Sequence, residues 1–236
     1  MVRLLSASVA AAVAVGACSI AVNAAPVRQT PAAAASFAST KAKALQGDVR
    51  AQYNLGETYL LGWHGHGSGP ASDFSAAVSW YRRAAEQGYA PAQDSLGGMY
   101  EIGLGVALNY TTAFSWYRRA AEQGYAPAQN NLGARYYIGR GVAQDYAAAF
   151  NWFRKAAEQG HSVAQDRLGG MYEYGTGVPQ DYVQAHKWYN LAGASADALD
   201  VGNRDKATKN RDIVAAKMQP AQIAEAQRLA SAWRKK

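Results

Sequence analysis

The sequence predicts an all-α chain, a solenoid of helix-turn-helix repeats closed at each end by further helices. Three observations predict it. First, the pattern Leu-Gly-x-x-Tyr-x-x-Gly occurs at Leu55-Gly56-Tyr59-Gly62, Leu96-Gly97-Tyr100-Gly103, Leu132-Gly133-Tyr136-Gly139 and Leu168-Gly169-Tyr172-Gly175, and its last three copies stand 36 residues apart. Periods of roughly 20 to 50 residues mark repeat arrays. Second, a tryptophan follows each copy in register, at Trp80, Trp116, Trp152 and Trp188, again 36 apart. Third, six Trp and fifteen Tyr accompany only five Ile and five Phe, which favours helices with aromatic anchors over β-structure. With 49% hydrophobic and 17% charged residues the chain has enough apolar material for a core, so disorder is excluded for most of it.

In chain order, Arg3 precedes an apolar run from Leu4 to Ala17 and then small residues up to Ala25, the layout of a secretory signal peptide. The run falls short of the ~20 residues that a spanning helix needs, so no transmembrane helix is expected in the mature chain. Two processing readings stand open: cleavage after Val22-Asn23-Ala24, or lipidation at Cys18 within Val15-Gly16-Ala17-Cys18, which resembles a lipoprotein box without its usual Leu. The first is favoured, and it removes Cys18, the one cysteine of the chain, together with any disulfide or thiolate chemistry. The expected location is periplasmic or secreted, or the cell envelope if Cys18 is lipidated. Residues 1–24 are thus read as a signal, and 25–35, rich in Ala and Pro, as a linker. Residues 36–50 read as an N-terminal capping helix, because Gly47 to Ala51 repeats the spacing of Gly88 to Ala92.

The repeats occupy 51–194, divided as 51–91, 92–127, 128–163 and 164–194. In each, a first helix carries an apolar stripe such as Ala92, Leu96 and Tyr100, and a second carries one such as Ala113, Trp116, Tyr117, Ala120 and Ala121. Asp73, Asn109, Asp145 and Asp181 stand as N-caps of the second helices. Gly88, Gly124 and Gly160 end them in left-handed turns, and Pro91 and Pro127 open the next helix. The glycines beside each motif leucine, Gly56, Gly97, Gly133 and Gly169, are expected to let the tryptophan of a neighbouring helix lie flat, offsetting a cost of about 1 kcal/mol per helical glycine. Five extra residues between Gly62 and Asp73 belong to a connection. Residues 195–236 read as C-terminal capping helices with a basic tail: a helix over 196–218 weakened at Gly202, then one opened by Pro220, with Ile223, Ala226, Ala230 and Trp233 as its apolar face.

The block L-G-x-x-Y-x-x-G-x-G-V-x-x-D, followed by W-Y-x-x-A-A-E-x-G, resembles the Sel-1-like repeat family, a relative of the tetratricopeptide repeats. All four copies match the Leu-Gly-x-x-Tyr-x-x-Gly part of the first block, and the fourth departs from the second block at Asn190-Leu191-Ala192-Gly193. The resemblance implies a right-handed superhelical α/α solenoid, a role in assembling protein complexes and, in bacterial members, export to the envelope. A cysteine-rich branch of that family is linked to β-lactam chemistry, but its paired cysteines are absent from this sequence.

Candidate chemistry is sparse. His64 and His66, in a glycine-rich insertion, lack the acidic neighbours that would complete a metal site, so no metal or cofactor is expected. Gly103-Leu104-Gly105, Gly139-Arg140-Gly141 and Gly175-Thr176-Gly177 have no preceding strand and read as turns, not as a dinucleotide fingerprint. No nucleophile-base pair emerges, so the chain is not expected to be an enzyme. The +7 net charge and the pairs Arg82-Arg83, Arg118-Arg119 and Arg154-Lys155 raise nucleic-acid binding, but Glu86, Glu122 and Glu158 neutralise part of this charge, and the pairs read as a solvated face. The expected function is a monomeric scaffold that grips a protein partner on the concave surface lined by first helices. Residues one step off the core stripe are expected to reach that surface: Asn54 and Thr58, Ser95 and Met99, Asn131 and Arg135, Arg167 and Met171. The readings set beside it are a cell-wall-associated hydrolase and a lipid-tethered envelope assembly factor.

Overall fold

The computed structural model describes residues 31–62, 72–194 and 201–234. The expectations for the signal segment with Cys18, and for the His64/His66 insertion, lie outside the described residues. Every element among the described residues is a helix. They are α1 (Pro31–Leu45), α2 (Val49–Leu61), α3 (Phe74–Glu86), α4 (Ala90–Ile102), α5 (Tyr110–Glu122), α6 (Ala126–Ile138), α7 (Tyr146–Glu158), α8 (Ser162–Tyr174), α9 (Tyr182–Gly193), α10 (Val201–Ala215) and α11 (Pro220–Ala232). The chain divides between Gln123 and Gly124 into two compact units.

The helix boundaries follow from local chemistry. Asp73, Asn109, Asp145 and Asp181 each accept a hydrogen bond from the backbone N–H three residues on, at 2.9 to 3.0 Å, and so satisfy an orphan amide of α3, α5, α7 and α9. Gly88 follows α3 at φ +88°, where its N–H donates to the Ala85 carbonyl and that of Tyr89 to the Ala84 carbonyl. A left-handed residue at this place releases the chain for the next helix. The connection from first to second helix also closes identically in all four repeats: the N–H groups of Asp73, Asn109, Asp145 and Asp181 donate to the carbonyls of Tyr59, Tyr100, Tyr136 and Tyr172 at 2.8 to 2.9 Å. The five extra residues of the first repeat therefore leave its flanks in the common geometry. Gly105, the second glycine of its turn, lies against the Phe74 carbonyl with no room for a Cβ, which accounts for the G-x-G pattern by packing.

Some boundaries differ from expectation: the capping helix expected to reach residue 50 ends at Leu45, with Val49 opening α2, and the helix expected to reach residue 218 ends at Ala215. The linker was expected over 25–35, but α1 already begins at Pro31. Proline is well placed in a first helical turn, and the alanines behind it have the highest helix propensity.

In the N-terminal unit, α1 packs on α2 through Phe37, Ala44, Ala51 and Leu55, and so fills the place of a second helix, as the Gly47 spacing predicts. A second cluster joins α2, α3 and α4 through Leu60, Ala77, Val78, Tyr81, Leu96 and Met99. In the C-terminal unit, α7 to α9 share Ala156, Ala157, Ala164, Leu168 and Trp188, with Trp233 of the chain end packed beside them. Val214 and Met218 after α9, and Ala226 of α11, close over Ala185 and Tyr189. The apolar face expected for α11 is the one it buries: Ala226 is 0% and Ala230 7% exposed.

The glycine seats exist, but tryptophan does not fill them. A Cβ built on Gly56, Gly97, Gly133 or Gly169 would fall 2.6 to 2.9 Å from the ring of Tyr81, Tyr117, Phe153 or Tyr189, the residue after each tryptophan. Neighbours in a helix point about 100° apart, so one of the two aromatics fills the glycine seat while the tryptophan packs to one side of it, Trp80 against Ala44, Ala51 and Leu55 and Trp116 against the cluster of Ala84, Ala85, Ala92 and Leu96. Trp80, Trp116 and Trp152 are consequently half-buried, and only Trp188, under the C-terminal helices, is enclosed at 5% exposure.

Candidate functional site

The first helices hold the residues expected to meet a partner, and burial divides them. Asn54 is exposed. Thr58, whose hydroxyl donates to the Asn54 carbonyl at 2.8 Å, Ser95, Arg135 and Arg167 are half-buried. Met99 and Met171, each 2% exposed, are core residues, and Asn131 is 5% exposed. These three are corrections: none is on a contact surface.

The physical reason is that a first helix is covered on two sides. Met99 packs with Ala77, Val78 and Tyr81 of α3, and Met171 with Ala149 and Phe153 of α7, in each case the second helix of the preceding repeat. The position three residues after the motif leucine thus faces a gap between helices. A flexible thioether fills such a gap, whereas the polar Thr58 and the long Arg135 at the same position keep contact with solvent.

Arg167 is also committed inside its unit. Its Nη1 donates to Asn130 Oδ1 at 2.9 Å, and its guanidinium lies 5.4 Å from the centre of the Phe153 ring. The equivalent of Asn130 two helices on is Asp166, which accepts from Lys206 Nζ at 2.7 Å and from Asn210 Nδ2 at 3.0 Å. Helix α10 therefore supplies to α8 the kind of contact that α8 supplies to α6, and completes the last layer as a further first helix would.

Three recurring polar devices were missed at the sequence level. The first is a glutamine ladder. Gln87 donates to Gln52 Oε1, Gln123 to Gln93 Oε1 and Gln159 to Gln129 Oε1, at 2.7 to 2.8 Å. Behind them the amides of Gln52, Gln93 and Gln165 donate to the carbonyls of Ala44, Ala85 and Ala157 at 3.0 to 3.1 Å. Those carbonyls belong to final helical turns, which have no acceptor use inside their own helix. The 36-residue recurrence of Gln93, Gln129 and Gln165 and of Gln87, Gln123 and Gln159 was the available signal.

The second device caps the seated tyrosines. The hydroxyl of Tyr81 donates to Glu57 at 2.6 Å, that of Tyr117 to Glu101 at 2.8 Å and that of Tyr189 to Glu173 at 2.9 Å. Burial first, and the neighbouring carboxylate second, hold Tyr81 and Tyr189 far above the usual phenol range, so both remain donors. In the third repeat Phe153 has no hydroxyl, and Ala134 and Tyr137 stand where the other repeats place their glutamates. Donor and acceptor are lost together, which avoids stranding either.

The third device lies on the half-buried tryptophans. Arg83, Arg119 and Lys155 sit 4.5, 4.7 and 4.1 Å from the ring centres of Trp80, Trp116 and Trp152. Arg118 pairs with Glu122 at 2.7 Å, and Arg82 Nη2 donates to the Tyr100 hydroxyl at 2.8 Å. The paired basic residues thus cover aromatic and polar groups of their own unit, each contact being of modest strength at an exposed site.

No group of three or more metal-ligating side chains assembles among the described residues, and no described helix is long and apolar enough to cross a membrane. What the arrangement offers chemically is hydrogen bonding and shape on rigid helices, the equipment of a binding surface.

Comparison with known proteins carries the same pattern. No curated protein matches the chain. Among solved structures it is similar to c5321, described as a protective antigen of uropathogenic Escherichia coli strains displaying an SLR fold, at 38% identity and a TM-score of 0.73, covering 84% of this chain and 40% of that one. The chain thus spans well under half of c5321. It is also similar to a Sel1 repeat protein from Oxalobacter formigenes, at 30% identity and a TM-score of 0.67, covering 84% of this chain and 76% of that one. The family model for the Sel1 repeat matches residues 49–89, 90–125, 126–161 and 162–197, each match beginning within a residue of a first helix: the chain belongs to the Sel1 repeat family.

Proposed function

We propose that the chain is an exported, non-catalytic scaffold that holds a protein partner against its first helices. Sel1 repeat proteins are generally protein-interaction scaffolds. The observation that carries the reading here is the recurrence of exposed or half-buried polar side chains at corresponding first-helix positions: Asn54, Thr58 and Ser95 in the N-terminal unit and Arg135 in the C-terminal unit. A rigid helical frame with polar residues at fixed intervals binds extended or helical segments with little ordering cost. Export rests on the signal layout of residues 1–24, and the antigenic nature of the similar c5321 supports it.

Two experiments test the proposal. Crosslinking in the native envelope, with Asn54, Thr58 and Ser95 replaced together by Arg, is expected to lose the partner while circular dichroism stays unchanged; undiminished capture contradicts the assigned face. Intact mass of the mature chain is expected to show cleavage between Ala24 and Ala25, and a lipid adduct on Cys18 contradicts the soluble form.

A further inference from the structure

Where α9, α10 and α11 meet in the C-terminal unit, they enclose a half-open groove of about 520 Å³ whose lining includes His186, Asn190, Arg211, Asp212, Gln227 and Ser231. Its walls are mainly polar, with Ala215 and Ile223 the apolar members, although the same three helices bury Ala185, Val214 and Ala226 beside it.

Two features of the groove point to a ligand. His186 is 3% exposed, yet its Nδ1 has no hydrogen-bond partner among the described residues, and buried polar atoms are very rarely left in that condition. Burial, and then the Arg211 guanidinium, lower the pKa of this imidazole against the opposing pull of Asp212. It is therefore neutral near pH 7, with one nitrogen to donate and one to accept.

The second feature is an incompletely used charge pair. Arg211 Nε and Nη2 both donate to a single oxygen, Asp212 Oδ1, at 2.9 and 2.7 Å. Nη1 reaches Asn190 Oδ1 only at 3.4 Å, a long contact. The guanidinium thus has an underused edge and the carboxylate a second oxygen, side by side, with the amide of Gln227 and the hydroxyl of Ser231 on the facing helix.

We infer that this groove binds a small zwitterion, a free α-amino acid or a dipeptide, whose carboxylate meets Arg211 and whose ammonium meets Asp212. The two opposite charges of the lining match a ligand of zero net charge better than an anion or a cation. The volume accommodates one or two residues and excludes a folded partner, so the inference is independent of the scaffold reading.

The test uses the full mature chain with an NMR probe on the His186 imidazole and calorimetric titration with the proteinogenic amino acids, simple dipeptides, and their N-acetyl and C-amide forms. At least one free amino acid or dipeptide is expected to shift the His186 signal and bind with a millimolar or tighter Kd. Either blocked form, and the Arg211→Gln variant, is expected to bind about tenfold more weakly or worse. Equal affinity for the N-acetyl form overturns the zwitterion assignment, and no binding by any probe at millimolar concentration overturns the site. Because the blocked ligands are tested on the unaltered chain, the outcome stands even if Arg211→Gln fails to fold.

Discussion

The third and fourth repeats share one frame and differ in what they enclose. Both seat an aromatic ring on a glycine, Phe153 on Gly133 and Tyr189 on Gly169. Around Phe153 the buried polar position holds the neutral Asn130, which accepts from Arg167, and the Arg167 guanidinium lies over the ring. Around Tyr189 the buried polar positions are charged: Glu173, 4% exposed, accepts from the Tyr189 hydroxyl and from Lys217 Nζ at 2.9 Å each, while Asp166, 3% exposed, accepts from Lys206 and Asn210. The added carboxylates are those met by the C-terminal helices. The fourth repeat thus adds, to the shape and hydrogen bonds that the third also uses, ion pairs with its irregular cap, which set orientation more than they stabilise.

The largest expected difference between the two repeats concerns their tryptophans. Trp188→Ala is expected to cost about 3 to 5 kcal/mol in urea unfolding, because Trp188 is 5% exposed. Trp152→Ala, which removes a half-buried ring beneath Lys155, is expected to cost distinctly less. Equal losses would mean that the cap does not enclose Trp188.

The glycine seats are expected to respond alike. Gly133→Ala and Gly169→Ala each place a Cβ 2.7 to 2.8 Å from a ring. Each is expected to destabilise by about 1 to 3 kcal/mol through overpacking, despite the propensity gain of about 1 kcal/mol that alanine brings elsewhere in a helix. A melting temperature that rises in either variant contradicts the seat.

The polar difference gives a comparable effect that the fourth repeat has and the third lacks. Glu173→Ala is expected to cost about 1 to 3 kcal/mol by stranding the Tyr189 hydroxyl. Adding Tyr189→Phe is expected to recover part of that loss, since it makes the site resemble the third repeat. A double variant no more stable than Glu173→Ala alone would show that the hydroxyl is not the stranded group.

The smallest effect is a pH dependence that the fourth repeat carries through His186. Burial lowers the folded-state pKa of His186 below its ordinary value of 6.5. The unfolded chain therefore takes up this proton first, and stability falls as pH drops through about 6.5 toward the folded-state value. Thermal melts at pH 7 and below are expected to show the decline, and His186→Phe is expected to flatten it. An unchanged slope in that variant would place the titrating group elsewhere.

Much of this fold is legible in the sequence because its punctuation is local. Asp73, Asn109, Asp145 and Asp181 mark helix starts by a bond spanning three residues, and Gly88 marks an end by its own φ. The candidate face was less legible because it depends on the rotation of each helix between its neighbours. Met99 and Thr58 hold the same repeat position, yet only Met99 is buried. Trp116 and Tyr117 lie on one apolar stripe, and nothing within α5 says which of them meets Gly97. The glutamines were passed over because polar residues are mostly exposed, and their partners lie 30 to 35 residues away.

The central claim is that all four layers use one seat, in which a buried hydroxyl is tolerated only where a carboxylate receives it. Building the pair into the third repeat tests this most directly, because Tyr137 occupies the place of Glu101 and Glu173. A double-mutant cycle of Phe153→Tyr and Tyr137→Glu, read by urea unfolding, is predicted to show a favourable coupling of about 0.5 to 3 kcal/mol. Phe153→Tyr alone should be destabilising and the second change should relieve it. Strict additivity of the two substitutions would contradict the account.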